Sequence, residues 1–68
     1  MLEIEEKDFE KETKEGITLV DFFATWCAPC RMMAQILPDI ESELNGKVKI
    51  VKVDVDKNPN LARQYGVM

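Results

Sequence analysis

Residues Ile17 to Ala24 read ITLVDFFA, a run in which Asp21 carries the only charge. A strand that is apolar at successive positions, instead of at alternate ones, is expected where both faces of a sheet are covered, as in parallel α/β sheets. The run is therefore expected to be a central strand. Helical spacing follows it: Met33, Ile36, Leu37, Ile40 and Leu44 recur at intervals of three and four and mark one face of a long helix that Asn45-Gly46 ends. Pro38 falls inside that helix and should kink it, because it lacks an N–H and crowds the carbonyl of Ala34.

The remaining segments continue the alternation. Leu2 to Ile4 fits a short edge strand, and Asp8 to Glu15 a polar helix whose one large anchor is Phe9. Val48 to Val55 (VKIVKVDV) is a second β-branched run. Asn58 suits an N-cap, Pro59 the first helical position and Gly66 the residue past the end, which predicts a short helix over Pro59 to Tyr65. The order β-α-β-α-β-α defines an α/β fold, and 68 residues leave room for one core only.

Composition narrows the function. Nine Lys and Arg against thirteen Asp and Glu give a net charge of -4, which repels phosphate backbones and anionic lipid, so neither nucleic acid nor a membrane is expected as partner. Met1 to Glu12 holds no apolar run of signal-peptide length, and the longest charge-free stretch, Phe22 to Cys30, is too short to span a bilayer; a cytoplasmic protein is expected. There is no histidine, which excludes Ser-His-Asp and Cys-His catalysis within the chain. Met32 and Met33 are expected to fill core space, and the charges between Glu3 and Glu15 a solvated face.

The two cysteines, Cys27 and Cys30, sit where the strand hands over to the long helix. Bridging so short a loop stabilises by only about 2 kcal/mol in the chain-entropy model, so they are poor structural braces. The helix start favours a thiolate through unpaired N–H groups and the positive end of the dipole. Cys27, at the mouth of the helix and nearer solvent, is the expected nucleophile, with Cys30 resolving the mixed disulfide. Pro29 sets φ without requiring an N–H partner. The same spacing occurs in half of a zinc site, but with no histidine or further cysteine one chain completes it only with carboxylates or by dimerising.

Asp21 interrupts the apolar run six residues before Cys27. Burial would raise its pKa towards the range of proton exchange at neutral pH. A solvated edge carboxylate and an ion pair with Lys52 on the neighbouring strand are the competing readings. Trp26 either offers contact area to a protein substrate or packs against its own loop.

Val20 to Met32 (VDFFATWCAPCRM) resembles the active-site segment of thioredoxins, with their W-C-x-P-C core, and Asp54 to Pro59 followed by Tyr65-Gly66-Val67 resembles that family's third strand and third helix. The resemblance implies protein-disulfide reduction without a cofactor. It implies Cys27 as attacking cysteine, Cys30 as resolving cysteine, Asp21 as the carboxylate assisting proton transfer and Lys52 as its basic neighbour. Trp26, Ala28 and Pro29 fall on substrate-contacting positions, with Ala28 where the family usually has glycine. Disulfide-containing proteins and thioredoxin reductase are the implied partners.

By the same resemblance the sheet is parallel in the order 1-3-2, and residues 1–68 form a partial domain lacking a cis-proline loop and a closing β-β-α segment. The outer edge of the second strand would then be exposed. That edge, and the small core of a chain below about 70 residues, lead to the expectation of a homodimer, formed through the strand edge or by segment exchange. The alternative to a working reductase is a catalytically poor fragment that folds by self-association or complementation.

Overall fold

The computed structural model describes residues 1–67. Strand β1 (Leu2–Glu3) leads through a 3-10 turn (Glu6–Asp8) into helix α1 (Phe9–Thr13), strand β2 (Ile17–Phe23), helix α2 (Ala28–Glu43), strand β3 (Val48–Asp54) and helix α3 (Pro59–Gln64). The strands form a parallel sheet in the order β1-β3-β2. Leu2 lies opposite Val51, and β2 pairs with β3 from Ile17 opposite Val48 to Phe23 opposite Asp54.

Successive β3 side chains point to opposite faces. Val51 and Val53, fully buried, join Ile4 and Leu61 in a core against which Phe9, Val20 and Phe22 pack. Tyr65 closes that side, with its ring centroid 5.4 Å from Phe9 and 5.9 Å from Phe22. On the other face Ile50 is buried and α2 packs against β3, with Leu37 its buried residue.

The expectation of a central strand over residues 17–24 is corrected. The central strand is β3, and β2 lies at the edge, as the family resemblance implies. Ile17 is 68% and Leu19 46% exposed. The apolar stripe of α2 is corrected with it. Among Met33, Ile36, Leu37 and Ile40 only Leu37 is buried, and Met32 is exposed as well. The cause is geometric: α2 packs mainly against the interior strand β3, which supports a single row of side chains, narrower than the helix's apolar face.

Helix α2 runs unbroken through Pro38. It stops where expected, because Asn45 (φ 51°) and Gly46 (φ 79°) both adopt left-handed backbone that ends a right-handed helix. Asn58 precedes α3 as expected, but its side chain does not cap it. Its Oδ1 accepts from the Glu6 N–H at 2.8 Å and its Nδ2 donates to the Asp54 carbonyl at 3.0 Å, so this buried amide ties the end of β3 to the N-terminal segment instead.

Candidate active site

The end of β2 and the start of α2 build the site. Ala24, buried at the strand end, accepts a hydrogen bond from the Cys27 N–H at 3.2 Å, which turns the chain out of the sheet. Cys27 is then the N-cap of α2: its backbone is extended, and its Sγ accepts from the Cys30 N–H at 3.2 Å. Pro29 falls in the first turn, where a missing N–H costs nothing. Cys27 and Cys30 are joined as a disulfide with their Cα atoms 5.2 Å apart. Both are half-buried. The distinction lies in the hydrogen bond, which one sulfur receives from the other residue's amide.

The loop is held from two sides. The guanidinium of Arg31 donates to the Thr25 carbonyl at 2.9 Å. Trp26 is 70% exposed, and its indole N–H donates to Asp56 Oδ2 at 2.8 Å. Asp56 is in turn placed by a buried carboxylate: Asp54 Oδ1 accepts from the Asp56 N–H at 2.9 Å and so shapes the turn after β3. Neither the partner of Trp26 nor the part played by Arg31 was legible from spacing, since the Trp26–Asp56 bond joins loops 30 residues apart.

Asp21 and Lys52 lie opposite each other in the β2–β3 register. They are not ion-paired among the described residues; the Lys52 ammonium sits 4.5 Å from the centroid of the Phe23 ring. Asp21 is half-buried, and its Oδ2 is buried without a hydrogen-bond partner among the described residues. Burial pushes the Asp21 carboxyl above the usual carboxylate range, and the positive charge of Lys52 opposes the rise without cancelling it. Beside them a cleft of about 280 Å³ opens between β2 and α2, bounded by Phe23, Ala24, Cys30, Ala34, Arg31 and Lys52.

The raised carboxyl has a measurable sign. Ionised Asp21 costs stability that is absent below the unfolded-state value of about pH 3.9 and grows as pH rises through the folded-state value. Asp21→Asn is therefore expected to resist urea better than the parent at neutral pH and to match it at about pH 3. Parallel denaturation curves at the two pH values check this.

No helix among the described residues is long and apolar enough to cross a membrane. The features together define a class: α/β proteins with a Cys-x-x-Cys disulfide at the carboxyl end of a parallel strand. The comparisons make the class specific. The thioredoxin family model matches residues 1–68. Thioredoxin of Listeria monocytogenes is 53% identical over 66 residues, covering 97% of this chain and 64% of its own length. Thioredoxin of Bacillus subtilis is 49% identical over 63 residues, covering 93% of this chain and 61% of its own length. The crystal structure of chloroplastic thioredoxin z superposes with a TM-score of 0.89 at 37% identity, covering all of this chain and 62% of that one. The chain belongs to the thioredoxin family, and spans 61 to 65% of the length of these curated relatives and of a Staphylococcus aureus thioredoxin.

Proposed function

We propose that the chain reduces protein disulfides by dithiol–disulfide exchange, and that residues 1–68 supply the β-α-β-α-β-α portion of a thioredoxin domain. The observation that carries this reading is the Cys27–Cys30 disulfide capping α2. In the reduced chain the Cys27 thiolate attacks a substrate disulfide, forms a mixed disulfide and releases one substrate thiolate. The Cys30 thiolate then attacks Cys27 Sγ and releases the second, leaving the Cys27–Cys30 disulfide and a substrate reduced by two electrons.

The Cys30 N–H and the positive end of α2 favour the Cys27 thiolate. Asp21 takes the proton of Cys30 as it becomes a nucleophile, and Lys52 steadies the ionised carboxylate. Trp26, Ala28 and Pro29 present the surface that meets the substrate. Disulfide-containing proteins are the substrates, thioredoxin reductase recharges the dithiol, and the setting is cytoplasmic. Insulin reduction with dithiothreitol as electron source tests the reading, and a rate no greater than that of dithiothreitol alone would overturn it. Asp21→Asn is expected to slow the resolving step more than the first attack between about pH 6 and pH 9.

A second reading concerns the folded species, and exposed surface favours it. The chain exposes 4940 Å² where a compact monomer of this size exposes roughly 4,400 Å². Its radius of gyration is 11.9 Å against roughly 10.9 Å. Ile17 and Leu19 of the edge strand β2, with Ile36 and Ile40 of α2, are among the large apolar residues left exposed. A second copy fits this surface: two β2 edges paired antiparallel about a two-fold axis make one six-stranded sheet and bring both α2 stripes to the same face. Light scattering across a dilution series, combined with circular dichroism, is expected to report a dimer whose folded signal falls on dilution. Leu19→Lys is expected to abolish it; a folded monomer of 7.8 kDa at micromolar concentration overturns the reading.

A further inference from the structure

The chain holds three asparagines, Asn45, Asn58 and Asn60, and one of them is placed to react with its own backbone. Asn58 is buried, both ends of its amide are bonded, and the residue after it is Pro59, whose nitrogen has no N–H to give up. Asn60 lies within α3, its Oδ1 accepts from the Arg63 guanidinium, and the residue after it, Leu61, is packed in the core. Asn45 differs on every count. It is exposed, and so are Gly46 and Lys47 on its carboxyl side. The Asn45 N–H donates to the Ser42 carbonyl at 3.1 Å and the Lys47 N–H to the Leu44 carbonyl at 3.0 Å, while the Gly46 N–H between them has no carbonyl partner among the described residues. A methyl group in place of a Gly46 hydrogen would meet nothing within 4 Å. The backbone nitrogen next to the Asn45 side-chain amide is therefore unshielded, and glycine leaves it free to turn.

We propose that Asn45-Gly46 is a self-modification site, where the folded chain closes a succinimide and opens it to isoaspartate and aspartate, loosening the end of α2. The Gly46 nitrogen, its proton lost to solvent base, forms a bond to Asn45 Cγ, and the side-chain nitrogen leaves as ammonia. Water then adds to one of the two ring carbonyls. Opening at the main-chain carbonyl routes the backbone through Cγ and leaves isoaspartate; opening at Cγ leaves aspartate. One water is consumed and one ammonia released, with no change of oxidation state.

The products fit the place poorly. Asn45 holds φ at 51°, a left-handed backbone that asparagine tolerates better than most residues. Isoaspartate adds a methylene to the main chain between two hydrogen-bonded N–H groups, those of residues 45 and 47, and so disturbs the turn they hold. Either product also puts a carboxylate at the negative end of α2, after Glu41 and Glu43, where the last turn has no basic residue. Two cations stand near by: Lys47 is exposed, and the Met1 ammonium already faces Glu41 at 3.2 Å. Exposed pairs of this kind offset little. The Cys27–Cys30 turn lies at the opposite end of this helix of 16 residues, roughly 24 Å long, so the site is separate from the redox centre.

The test ages the full chain at neutral pH and physiological temperature, folded in buffer and unfolded in guanidinium chloride. Samples are assayed over time with an isoaspartyl carboxyl methyltransferase and labelled S-adenosylmethionine, followed by peptide mapping. Label is expected on the peptide that holds Asn45 and at neither of the other asparagines. The folded rate is expected to stay within about threefold of the unfolded rate, because distorting an exposed loop with so few bonds costs close to zero. Asn45→Gly, which suits the same backbone, is expected to take no label. The aged parent is expected to show a lower urea midpoint than the fresh one, and aged Asn45→Gly an unchanged one. A folded chain that takes label at a small fraction of the unfolded rate, or takes it at Asn60, overturns the site. An aged, labelled parent with the fresh chain's midpoint overturns its effect on α2.

Discussion

Cys27→Ser is expected to bring insulin reduction down to the rate of dithiothreitol alone, the largest functional effect available in this chain. Without Cys27 the thiol that remains, Cys30, has no partner to close an intramolecular disulfide, so no second step releases the substrate. It also lacks the amide contact, since the Cys30 N–H is directed at position 27 and not at its own sulfur. Cys30→Ser is expected to differ in kind: Cys27 still attacks, and the mixed disulfide with substrate accumulates to be seen on a non-reducing gel. Equal residual turnover in the two variants would show that the roles are not divided between these cysteines.

The second large effect is on folding. Leu61 of α3 is 3% exposed and sits in the same core as Ile4, Val51 and Val53, so it joins α3 to β3 and to the segment that follows β1. Removing a buried leucine side chain costs about 2 to 5 kcal/mol. A chain this small holds a margin of roughly 3 to 5 kcal/mol. Leu61→Ala is therefore expected to lose most of its folded circular dichroism signal at 25 °C, while Leu61→Met, which conserves volume, stays folded with a modest fall in urea midpoint. An alanine variant with the parent's midpoint would mean that α3 contributes little to the core.

The fold was legible in the residues to the extent that local chemistry determines it. Pro59 at a helix start, Asn45-Gly46 at a helix end and the β-branched run from Val48 each act within a few residues, and each marks its element within a residue or two. What failed was the inference from apolarity to burial. Ile17, Leu19, Met33 and Ile36 are as apolar as Val51, but burial is decided by what lies opposite, and the edge position of β2 leaves them uncovered. The site divided the same way. Cys27, Cys30 and Pro29 share one turn and were visible as a spacing, whereas Asp56 reaches Trp26 from another loop and Lys52 chose the Phe23 ring over the carboxylate opposite it. Side-chain choices of that kind depend on the third dimension, and no periodicity records them.

The amide of Asn58 also sets an order of events. It bonds to the backbone of Glu6 across 52 residues, and closing a loop of that length costs roughly 3.5 kcal/mol of chain entropy. On the return side stand a strand of two residues, the burial of Ile4 with its N–H on the Lys52 carbonyl at 2.8 Å, an exposed contact from the Met1 ammonium to Glu41, and the Asn58 bond itself. The leading segment therefore docks last and departs first. As the chain emerges from a ribosome, the Glu6 N–H waits for more than fifty further residues before its partner Asn58 arrives.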